Sequence, residues 1–491
     1  MAHLRGSHRK GREPVTATSI PHAPGFFASE TPRVVTQRFD YEDGYTFERA
    51  MATGAYEGFK TALTRTPSEV HDEVRAATVL GRGGAGFPAG VKWGFMPPTV
   101  WPRYLVVNGD ESEPGTYKDR LLMERDPHQL IEGCLIAAYA TGLSQCFLYV
   151  RGEMPLAHER IAQALNDAYA DGLIGKNIQG TNFSLDIILH WGAGAYVVGE
   201  ETALIESLEG KRGMPRLKPP YFPAAIGLYG QPTIVNNVET LSNLPWILTN
   251  GAAAYTAIGT ESSPGTRVVA VSGHVKRPGV FEIVNGTTTF RDLLYGEDYC
   301  QGIRDDNELK AFVPGGGSAP WFTPEQLDVP FEGRECSAAG SMLGSGAIMV
   351  MDETTDIPTA ALSLTRFYAH ESCGKCVPCR EGGTWLEKIL TRVVQGRGTS
   401  RDLDLLLEVG ATICPGDFPH ASSSDLGLDA TPFPYKMTTI CFVGPSAFAP
   451  IHSALTLFRG EFEDRLIDDD AAGAIGVPVA ISSNPTGEEA S

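Results

Sequence analysis

The stretch Glu371-Ser-Cys373-Gly-Lys-Cys376-Val-Pro-Cys379-Arg-Glu-Gly382 carries three cysteines at a C-x2-C-x2-C spacing. A short turn with this spacing can aim three sulfurs at one point, and one class of iron–sulfur protein begins in this way. A zinc site is one alternative, although zinc sites usually take cysteines as two separate C-x2-C pairs. A chance grouping of cysteines is the other alternative. The spacing favours a [4Fe–4S] cluster, which needs a fourth cysteine, and predicts a helix from about Thr384.

Two downstream cysteines could supply the fourth ligand, Cys414 and Cys441, and both follow a Thr-Ile pair. The segment between them, residues 415–434, is rich in Pro, Ser and Asp, which predicts a loop. Apolar residues return at helical spacing after Cys441, whereas Cys414 opens the loop. Because a ligand needs a fixed backbone, Cys441 is the favoured candidate.

The whole chain has 491 residues, enough for about three domains, and its hydrophobic content of 42% can fill several cores. Its net charge of −19 argues against nucleic acid or an anionic membrane as the main partner. We find no apolar run of about 18 residues, so no membrane-spanning helix is predicted. Nine cysteines, an odd number, favour reduced thiols over a disulfide framework, and the isolated ones are expected to be buried.

The first half of the chain alternates between helical and strand patterns, which predicts an α/β domain with a largely parallel sheet. Helical patterns are found at Tyr45–Val79, with a start near Ser68 and Glu69 for its last part, and as an amphipathic helix at Leu130–Ala140 and again at Leu156–Ala170. Short apolar strands are predicted at Arg103–Asn108, Cys146–Val150 and Leu185–His190.

Two glycine-rich turns stand out in this domain. Gly81-Arg-Gly83-Gly84-Ala-Gly86 contains G-x-G-x-x-G, but it follows a helix and lacks an acid about 20 residues on, so an ordinary Rossmann site is rejected. Glycines still let backbone N–H groups approach a phosphate, and Lys92 adds positive charge. The second turn, Gly192 to Gly199, opens a helix at Glu200 and Glu201. A plain connector and helix capping are the alternatives for the two turns.

Polar residues follow the first predicted strand in Asn108-Gly-Asp110-Glu111-Ser-Glu113. The carboxyl ends of strands are where α/β sheets place ligand contacts. Three acids this close repel one another unless they bind hydroxyls or a cation, and a solvated acidic turn is the alternative. The adjacent amides Asn236 and Asn237 can read the edge of a flat heterocycle, although such pairs are also ordinary turn residues.

Beyond about Ser262 the composition changes and two further parts are predicted. A hairpin over Arg267–Ile283, a short helix at Phe290 and a strand ending near Phe312 describe a small module without an obvious catalytic group. The thiols lie in a helix-dominated region. The predicted organisation is a disordered leader (1–37), the α/β domain (38–264), the small module (265–350), the helical domain (351–466) with the inserted loop 415–434, and an acidic disordered tail (467–491).

Together these segments resemble the flavin- and NADH-binding subunit of respiratory complex I, NADH:quinone oxidoreductase, over roughly residues 45–466. The resemblance implies an α/β domain that binds FMN and NADH, a β-grasp module of the soluble-ligand-binding type, and a helical bundle that carries the cluster. The matching stretches are Gly81–Trp93, Asn108–Arg120, Gly192–Gly210, Pro215–Pro220, Asn236–Thr240 and Glu371–Gly382.

The resemblance also assigns residues to each cofactor. The FMN pocket would comprise Gly81, Gly83, Gly84, Lys92, Asn108, Asp110, Glu111, Tyr196, Gly199, Glu200, Asn236, Asn237 and Thr240. NADH would contact Phe87, Phe95, Glu113, Glu201, Lys218 and Tyr221, the last standing where phenylalanine is common. The cluster ligands would be Cys373, Cys376, Cys379 and Cys441, since the residues after Cys441 match the family's pattern at the fourth ligand.

The function implied is hydride transfer from NADH to FMN, then single-electron transfer to the cluster and on to quinone, with no catalytic acid or base. The implied partners are other peripheral-arm subunits, in particular a thioredoxin-like [2Fe–2S] subunit and a multi-cluster subunit. Neither nucleic acid nor direct membrane insertion is expected, and the location would be cytoplasmic, at the inner face of the cell membrane.

A diaphorase subunit of an NAD-dependent hydrogenase or formate dehydrogenase carries the same motifs and is the alternative. Such diaphorases often have an extra N-terminal cluster domain, and no cysteine precedes Cys134 here. A non-catalytic scaffold that has lost its redox centres is a different class of protein. The intact cysteines and both glycine turns argue against it.

Overall fold

The computed structural model describes residues 32–415 and 437–468. Most of the predicted leader, the inserted loop and the predicted tail therefore lies outside the described residues. Residues 34–36, assigned to the leader, are buried, so the packed part of the chain begins earlier than predicted. The isolated cysteines Cys134, Cys146, Cys300 and Cys336 are buried, as expected.

The α/β domain is built on a parallel sheet, as predicted. Its strands run in the order β3-β2-β1-β4, and they are β1 (Tyr104–Gly109), β2 (Gln145–Val150), β3 (Asp186–Trp191) and β4 (Thr233–Asn237). The first three match the predicted strands to within a residue or so. The strand β4 was not predicted, because its run of apolar residues is short and ends in the two asparagines.

Helices pack around this sheet. In chain order they are α1 (Phe47–Ala52), α2 (Glu57–Leu63), α3 (Pro67–Ala76), α4 (Ala89–Trp93), α5 (Lys118–Arg125), α6 (Pro127–Thr141), α7 (Pro155–Ala170), α8 (Glu201–Leu208), α9 (Pro223–Ile226), α10 (Val238–Ser242), α11 (Leu244–Asn250) and α12 (Ala252–Thr256). The predicted helical stretch from Tyr45 is thus three helices. The last of them begins with a capping box between Thr66 and Glu69, earlier than expected.

The prediction of an amphipathic helix over Leu130–Ala140 was wrong in one respect, since α6 is buried on nearly every side. Its polar residues face protein instead of solvent. The carboxylate of Glu132 accepts the backbone N–H groups of Tyr56 and Phe59, at 2.7 and 3.0 Å. From the sequence alone, a glutamate that is buried in this way cannot be distinguished from a glutamate on a solvent-exposed helix face.

The small module contains a second, mixed sheet in the order β6-β5-β8-β7. The predicted hairpin is confirmed as the antiparallel pair of β5 (Thr266–Gly273) and β6 (Gly279–Val284). The strands β7 (Leu309–Val313) and β8 (Ala347–Asp352) complete the sheet, with β5 and β8 parallel. The helices α13 (Phe290–Tyr295) and α14 (Gly333–Ala338) pack on it, and β8 runs two residues past the predicted boundary.

The N-terminal segment ties the small module to the α/β domain. Glu282, on β6, accepts the backbone N–H groups of Val34, Val35 and Thr36 at 2.8 to 3.1 Å. Gln129, on α6, donates to the carbonyl of Val34 at 3.1 Å. Hydrogen bonds to a buried carboxylate are among the stronger ones in proteins, so this segment holds the two sheets together.

The helical domain consists of α15 (Ile357–Glu371), α16 (Val377–Val394), α17 (Ser400–Ile413) and α18 (Val443–Glu463). The helix predicted from about Thr384 begins two turns earlier, with Pro378 in its first turn, where the missing N–H costs nothing. The apolar faces of these helices form one core. Among the described residues, none of the helices is both long and apolar enough to cross a membrane.

Candidate functional site

A cavity of about 280 Å³ lies at the carboxyl ends of β1 and β4. Its lining includes residues predicted for cofactor binding, namely Gly83, Gly84, Asn108, Asp110, Glu111, Glu113, Tyr196, Gly199, Glu200 and Asn237. The other lining positions were not predicted from the sequence and are Arg82, Ala85, Ser112, Thr116, Asp119, Val197, Ser318, Met342, Gly344, Ser345, Phe442 and Val443. The predicted cluster ligand Cys441 also lines it. The α/β domain, the small module and the helical domain therefore all contribute walls.

The first glycine-rich turn, between α3 and α4, forms one wall. It is closed by the N–H of Gly81, which donates to the carbonyl of Phe87 at 3.0 Å. The hydroxyl of Thr240 accepts the N–H of Arg82 at 2.9 Å and fixes the turn against α10. Gly84 has a φ of +118°, which a residue with a side chain adopts only under strain. Gly84 is thus required by the backbone, and the missing side chain leaves the surface of the turn open to a ligand.

A buried charge network lies behind this turn. The ammonium group of Lys118 is 2.6 Å from Glu239 and 2.9 Å from Asp119. Burial lowers the pKa of Lys118, but the neighbouring carboxylates outweigh it and raise the pKa above its usual value. Asp119 in turn accepts the side-chain amide of Asn237 at 2.6 Å. The network therefore fixes Asn237 in the cavity wall.

Asp110 offers an unused acceptor to the cavity. One of its carboxylate oxygens accepts the hydroxyl of Ser112 at 2.9 Å, while Oδ1 is buried and has no protein partner. Burial disfavours the charged carboxylate and raises the pKa of Asp110 to about 7. A buried polar atom without a partner is costly, and a ligand hydroxyl would satisfy it. The ribityl chain of FMN carries such hydroxyls, so the site suits that cofactor.

Glu111 braces the neighbouring helix. Its carboxylate accepts the backbone N–H groups of Asp119 and Arg120, at 2.8 and 2.9 Å, in the first turn of α5. Burial and the nearby charge of Asp119 raise the pKa of Glu111 to about 7. Both carboxylate oxygens are therefore already engaged by the protein, although the residue lines the cavity.

The second glycine-rich turn forms the opposite wall. Asn108, at the end of β1, donates its side-chain amide to the carbonyl of Gly199 at 2.9 Å. Glu200 caps α8 by accepting the N–H groups of Thr202 and Ala203, at 2.9 and 3.1 Å. The helix-capping interpretation is therefore confirmed for Glu200. The same residue also lines the cavity, where a ligand can reach it.

Glu201 stands between two lysines outside the cavity lining. Its carboxylate lies 2.7 Å from the ammonium group of Lys92 and 3.3 Å from that of Lys218. Burial alone would raise the pKa of Glu201, but the two lysines outweigh it and hold the pKa at about 2. Lys92 also donates to the carbonyl of Val235 at 2.9 Å. Its ammonium group is therefore paired with protein groups and lies outside the cavity lining.

Aromatic residues lie on the segments that carry Lys92 and Lys218. The rings of Phe87 and Phe95 are 5.9 Å apart between centroids, and Phe95 is 60% exposed. Tyr221, three residues after Lys218, is 43% exposed. Because Lys92 and Lys218 both bind Glu201, the segments that carry these aromatics converge on it. Exposed aromatics beside paired charges suit a flat, charged ligand such as a dinucleotide.

The predicted FMN residues Gly81, Lys92, Asn236 and Thr240 lie outside the cavity lining. Asn236 accepts the indole N–H of Trp93 at 2.9 Å. Neighbouring residues of a strand point to opposite faces, so Asn236 faces away from Asn237 and the cavity. The structure thus gives these residues supporting contacts behind the wall.

The four predicted cluster cysteines meet near two helix N-termini. Cys376 precedes α16, Cys379 lies in its first turn, and Cys441 lies just before α18. These three and Cys373 belong to one group of packed side chains at the sheet face below the cavity. A helix N-terminus favours negative charge, which thiolates bound to iron supply. Within the described ranges, no three His, Cys, Asp or Glu side chains are close enough to hold a single metal ion.

Position distinguishes the two candidates for the fourth ligand. Burial raises the pKa values of Cys414 and Cys441 alike, to about 12. Cys441 packs with the three motif cysteines, and the N–H of Ile440 lies 3.3 Å from the sulfur of Cys376. Cys414 is buried in the core of the helical domain instead. The arrangement favours Cys441.

Comparison with known proteins agrees with this geometry. Residues 74–246, which hold both glycine-rich turns, match the family model described as the Nuo51 FMN-binding domain. Residues 359–419 match the NADH-ubiquinone oxidoreductase-F iron-sulfur binding region. The F subunit of NADH-quinone oxidoreductase from Mycobacterium tuberculosis is 44% identical over 87% of this chain and 92% of its own length. The chain belongs to the family of NADH-quinone oxidoreductase F subunits.

Other members of this family are equally similar. The F subunit from Rickettsia bellii is 44% identical over 87% of this chain and 96% of its own length. An NAD+-reducing [NiFe]-hydrogenase in its H2-reduced state shares the fold, with a TM-score of 0.72 and 34% identity. That match covers 86% of this chain and 67% of the hydrogenase chain. Membership of the family, with the two family models, identifies FMN, NADH and a [4Fe–4S] cluster as the cofactors of this oxidoreductase subunit.

Proposed function

We propose that this chain is the electron-input subunit of a respiratory NADH:quinone oxidoreductase, complex I. The observation that carries the proposal is that Cys441 lines the same cavity as Asp110 and Asn237. A predicted cluster ligand and the predicted flavin-binding residues thus line one cavity, which brings the two redox centres together. When bound, FMN supplies hydride acceptance from NADH and single-electron transfer to the cluster, from which electrons continue to quinone.

The chain's own residues hold and orient these groups. The turn at Gly83 and Gly84 offers backbone N–H groups to the flavin phosphate, and Asp110 accepts a ribityl hydroxyl. Asn237, fixed by Asp119, contacts the flavin ring at its edge. The thiolates of Cys373, Cys376, Cys379 and Cys441 hold the cluster. No side-chain acid or base is assigned, because hydride transfer needs none.

NADH enters beside the flavin cavity in this proposal. Phe87, Phe95 and Tyr221 stack on the adenine, while Glu113 contacts the ribose or nicotinamide from inside the cavity. The pair formed by Glu201 and Lys218 offers hydrogen-bonding partners to the rest of the dinucleotide. These contacts set the distance from nicotinamide to flavin, which hydride transfer requires to be about 3–3.5 Å between reacting atoms.

The proposal extends to domains, partners and location. The α/β domain binds both nucleotides, the small module is a β-grasp unit that closes the cavity, and the helical domain holds the cluster. The partners are other peripheral-arm subunits, including a thioredoxin-like [2Fe–2S] subunit and a multi-cluster subunit. The complex would sit at the cytoplasmic face of the cell membrane.

A diaphorase subunit of an NAD-dependent hydrogenase or formate dehydrogenase is the second candidate. The similarity to the NAD+-reducing [NiFe]-hydrogenase supports it. The two candidates share the NADH half-reaction and differ in what accepts the electrons. Mass spectrometry of proteins that co-purify with the tagged chain from its own cells distinguishes them: respiratory-arm subunits favour complex I, and hydrogenase or formate dehydrogenase subunits favour the diaphorase.

The half-reaction is tested by NADH:ferricyanide turnover of the anaerobically purified chain, with flavin, iron and sulfide measured on the same sample. Turnover with about one FMN per chain is the expected result, since the cavity at the carboxyl ends of β1 and β4 has hydrogen-bond acceptors for one flavin. Bound flavin without turnover would point to another electron donor. A folded sample with neither flavin nor turnover would contradict the proposal and support a scaffold role.

A further inference from the structure

Ser372 lies beside one of the predicted cluster ligands. Its hydroxyl oxygen is 3.2 Å from the sulfur of Cys379, across the loop that joins α15 to α16. The same oxygen accepts the backbone N–H of Gly374 at 3.4 Å. That bond uses a lone pair of the oxygen and leaves the hydroxyl hydrogen free to point at the sulfur.

We propose that Ser372 donates a hydrogen bond to the Cys379 thiolate and thereby raises the reduction potential of the cluster. The inference rests on the proposed cluster ligation. A cysteine bound to iron is a thiolate and has no proton to donate, so the hydroxyl must be the donor. The N–H of Ile440, which lies 3.3 Å from the sulfur of Cys376, is a second donor to a predicted ligand.

The direction of the effect follows from charge. Reduction adds one electron, and therefore one negative charge, to the cluster and its thiolates. A hydrogen bond to a ligating sulfur is stronger when that sulfur carries more negative charge, so it stabilises the reduced state more than the oxidised state. Ser372 is thus a positioning residue that sets how readily the cluster accepts an electron from the adjoining flavin cavity.

The test is a redox titration of the cluster by electron paramagnetic resonance on the anaerobically purified full chain. Ser372→Ala removes the hydroxyl, and we expect a lower midpoint potential than in the wild type. Ser372→Thr keeps a hydroxyl, and we expect it to restore the potential. Thr384→Ala is the matched control, because its hydroxyl is on the same helix as Cys379 but donates to the carbonyl of Arg380 at 3.0 Å. An unchanged potential in Ser372→Ala, with the cluster present, would overturn the proposal.

A second measurement covers the case in which Ser372→Ala fails to assemble its cluster. Pulsed paramagnetic resonance of the wild type in D2O detects exchangeable deuterons coupled to the cluster. We expect a hydroxyl deuteron in addition to backbone amides, and its absence would contradict the proposal. A wild-type protein that binds FMN but has no cluster would contradict both the proposed cluster ligation and this inference. A cluster whose reduction potential does not depend on Ser372 would contradict this inference alone.

Discussion

The hydroxyl of Tyr196 donates to the carboxylate of Glu113 at 2.5 Å, and the backbone N–H of the same tyrosine donates to Glu371 at 3.0 Å. Glu113 also accepts the N–H of Ser318 at 2.7 Å and the hydroxyl of Tyr368 at 3.0 Å. One carboxylate in the cavity therefore collects donors from the α/β domain, the small module and the helical domain. Glu371 extends the connection to the segment that carries the motif cysteines.

Removing either tyrosine hydroxyl should destabilise the protein. Tyr196→Phe and Tyr368→Phe each leave the half-buried Glu113 carboxylate with one donor fewer, and a hydrogen bond to a charged group contributes about 1.5–3 kcal/mol. The free energy of unfolding in urea measures this. Tyr41→Phe, at an exposed ring, is the control and should change stability by less than about 0.5 kcal/mol. Equal changes in the free energy of unfolding at all three positions would show that Glu113 does not connect the three domains.

Replacing Cys441 with serine should abolish the paramagnetic signal of the reduced cluster, while Cys414→Ser should leave the signal intact. Cys441 packs with the motif cysteines, and Cys414 lies in the core of the helical domain. Iron and sulfide contents of the two variants provide a second readout. The reverse pattern would transfer the fourth ligand to Cys414.

Glu201→Ala should impair NADH turnover while FMN stays bound, because Glu201 lies outside the cavity lining and pairs with Lys92 and Lys218. Losing a charged contact of about 1.5–3 kcal/mol corresponds to roughly a 10- to 100-fold loss of kcat/KM. Glu408→Ala is the matched control, since it breaks a pair with Arg401 on the remote helix α17. Release of flavin from Glu201→Ala would move this residue into the FMN site.

The stability of the flavin-free protein should fall as pH rises from 6 to 8. The folded-state pKa of Asp110 is raised to about 7, so the folded protein keeps a proton that the unfolded chain has already released. This single group then costs about 1.4 kcal/mol over that range. Glu111 and Glu132, with pKa values also raised to about 7, add to the trend.

Urea unfolding at the two pH values, with Asp110→Asn for comparison, measures the share of this carboxyl. The variant has no group to ionise at position 110, so its stability should fall less steeply than that of the wild type. Identical pH dependence of the two proteins would mean that Asp110 is already ionised in the folded state at pH 6.

Much of the α/β domain could be predicted because its signals are local. The strands around Val106 and Leu148 are continuous apolar runs, and the glycines of the first turn stand in a recognisable pattern. The motif cysteines are likewise close in sequence. Local spacing was enough to identify these features before any packing was known.

The missed features depend on distant residues. Ser318, Met342 and Gly344 close the cavity from the small module, and only tertiary packing brings them there. Their sequence signal is a pair of glycine-rich runs at residues 315–317 and 344–346, which resemble ordinary turns. The contact of Asn236 with Trp93 could not be predicted for another reason: strand alternation directs Asn236 away from its neighbour, and β4 itself was not predicted.

The position of Cys441 in the cavity lining has a consequence for the order in which the site forms during synthesis. Asp110 emerges from the ribosome well before Cys441, by an interval on the order of tens of seconds. During that time the flavin cavity lacks its third wall. Full flavin retention and cluster insertion must therefore follow the synthesis of Cys441, and a nascent chain arrested before this residue is expected to hold neither redox centre firmly.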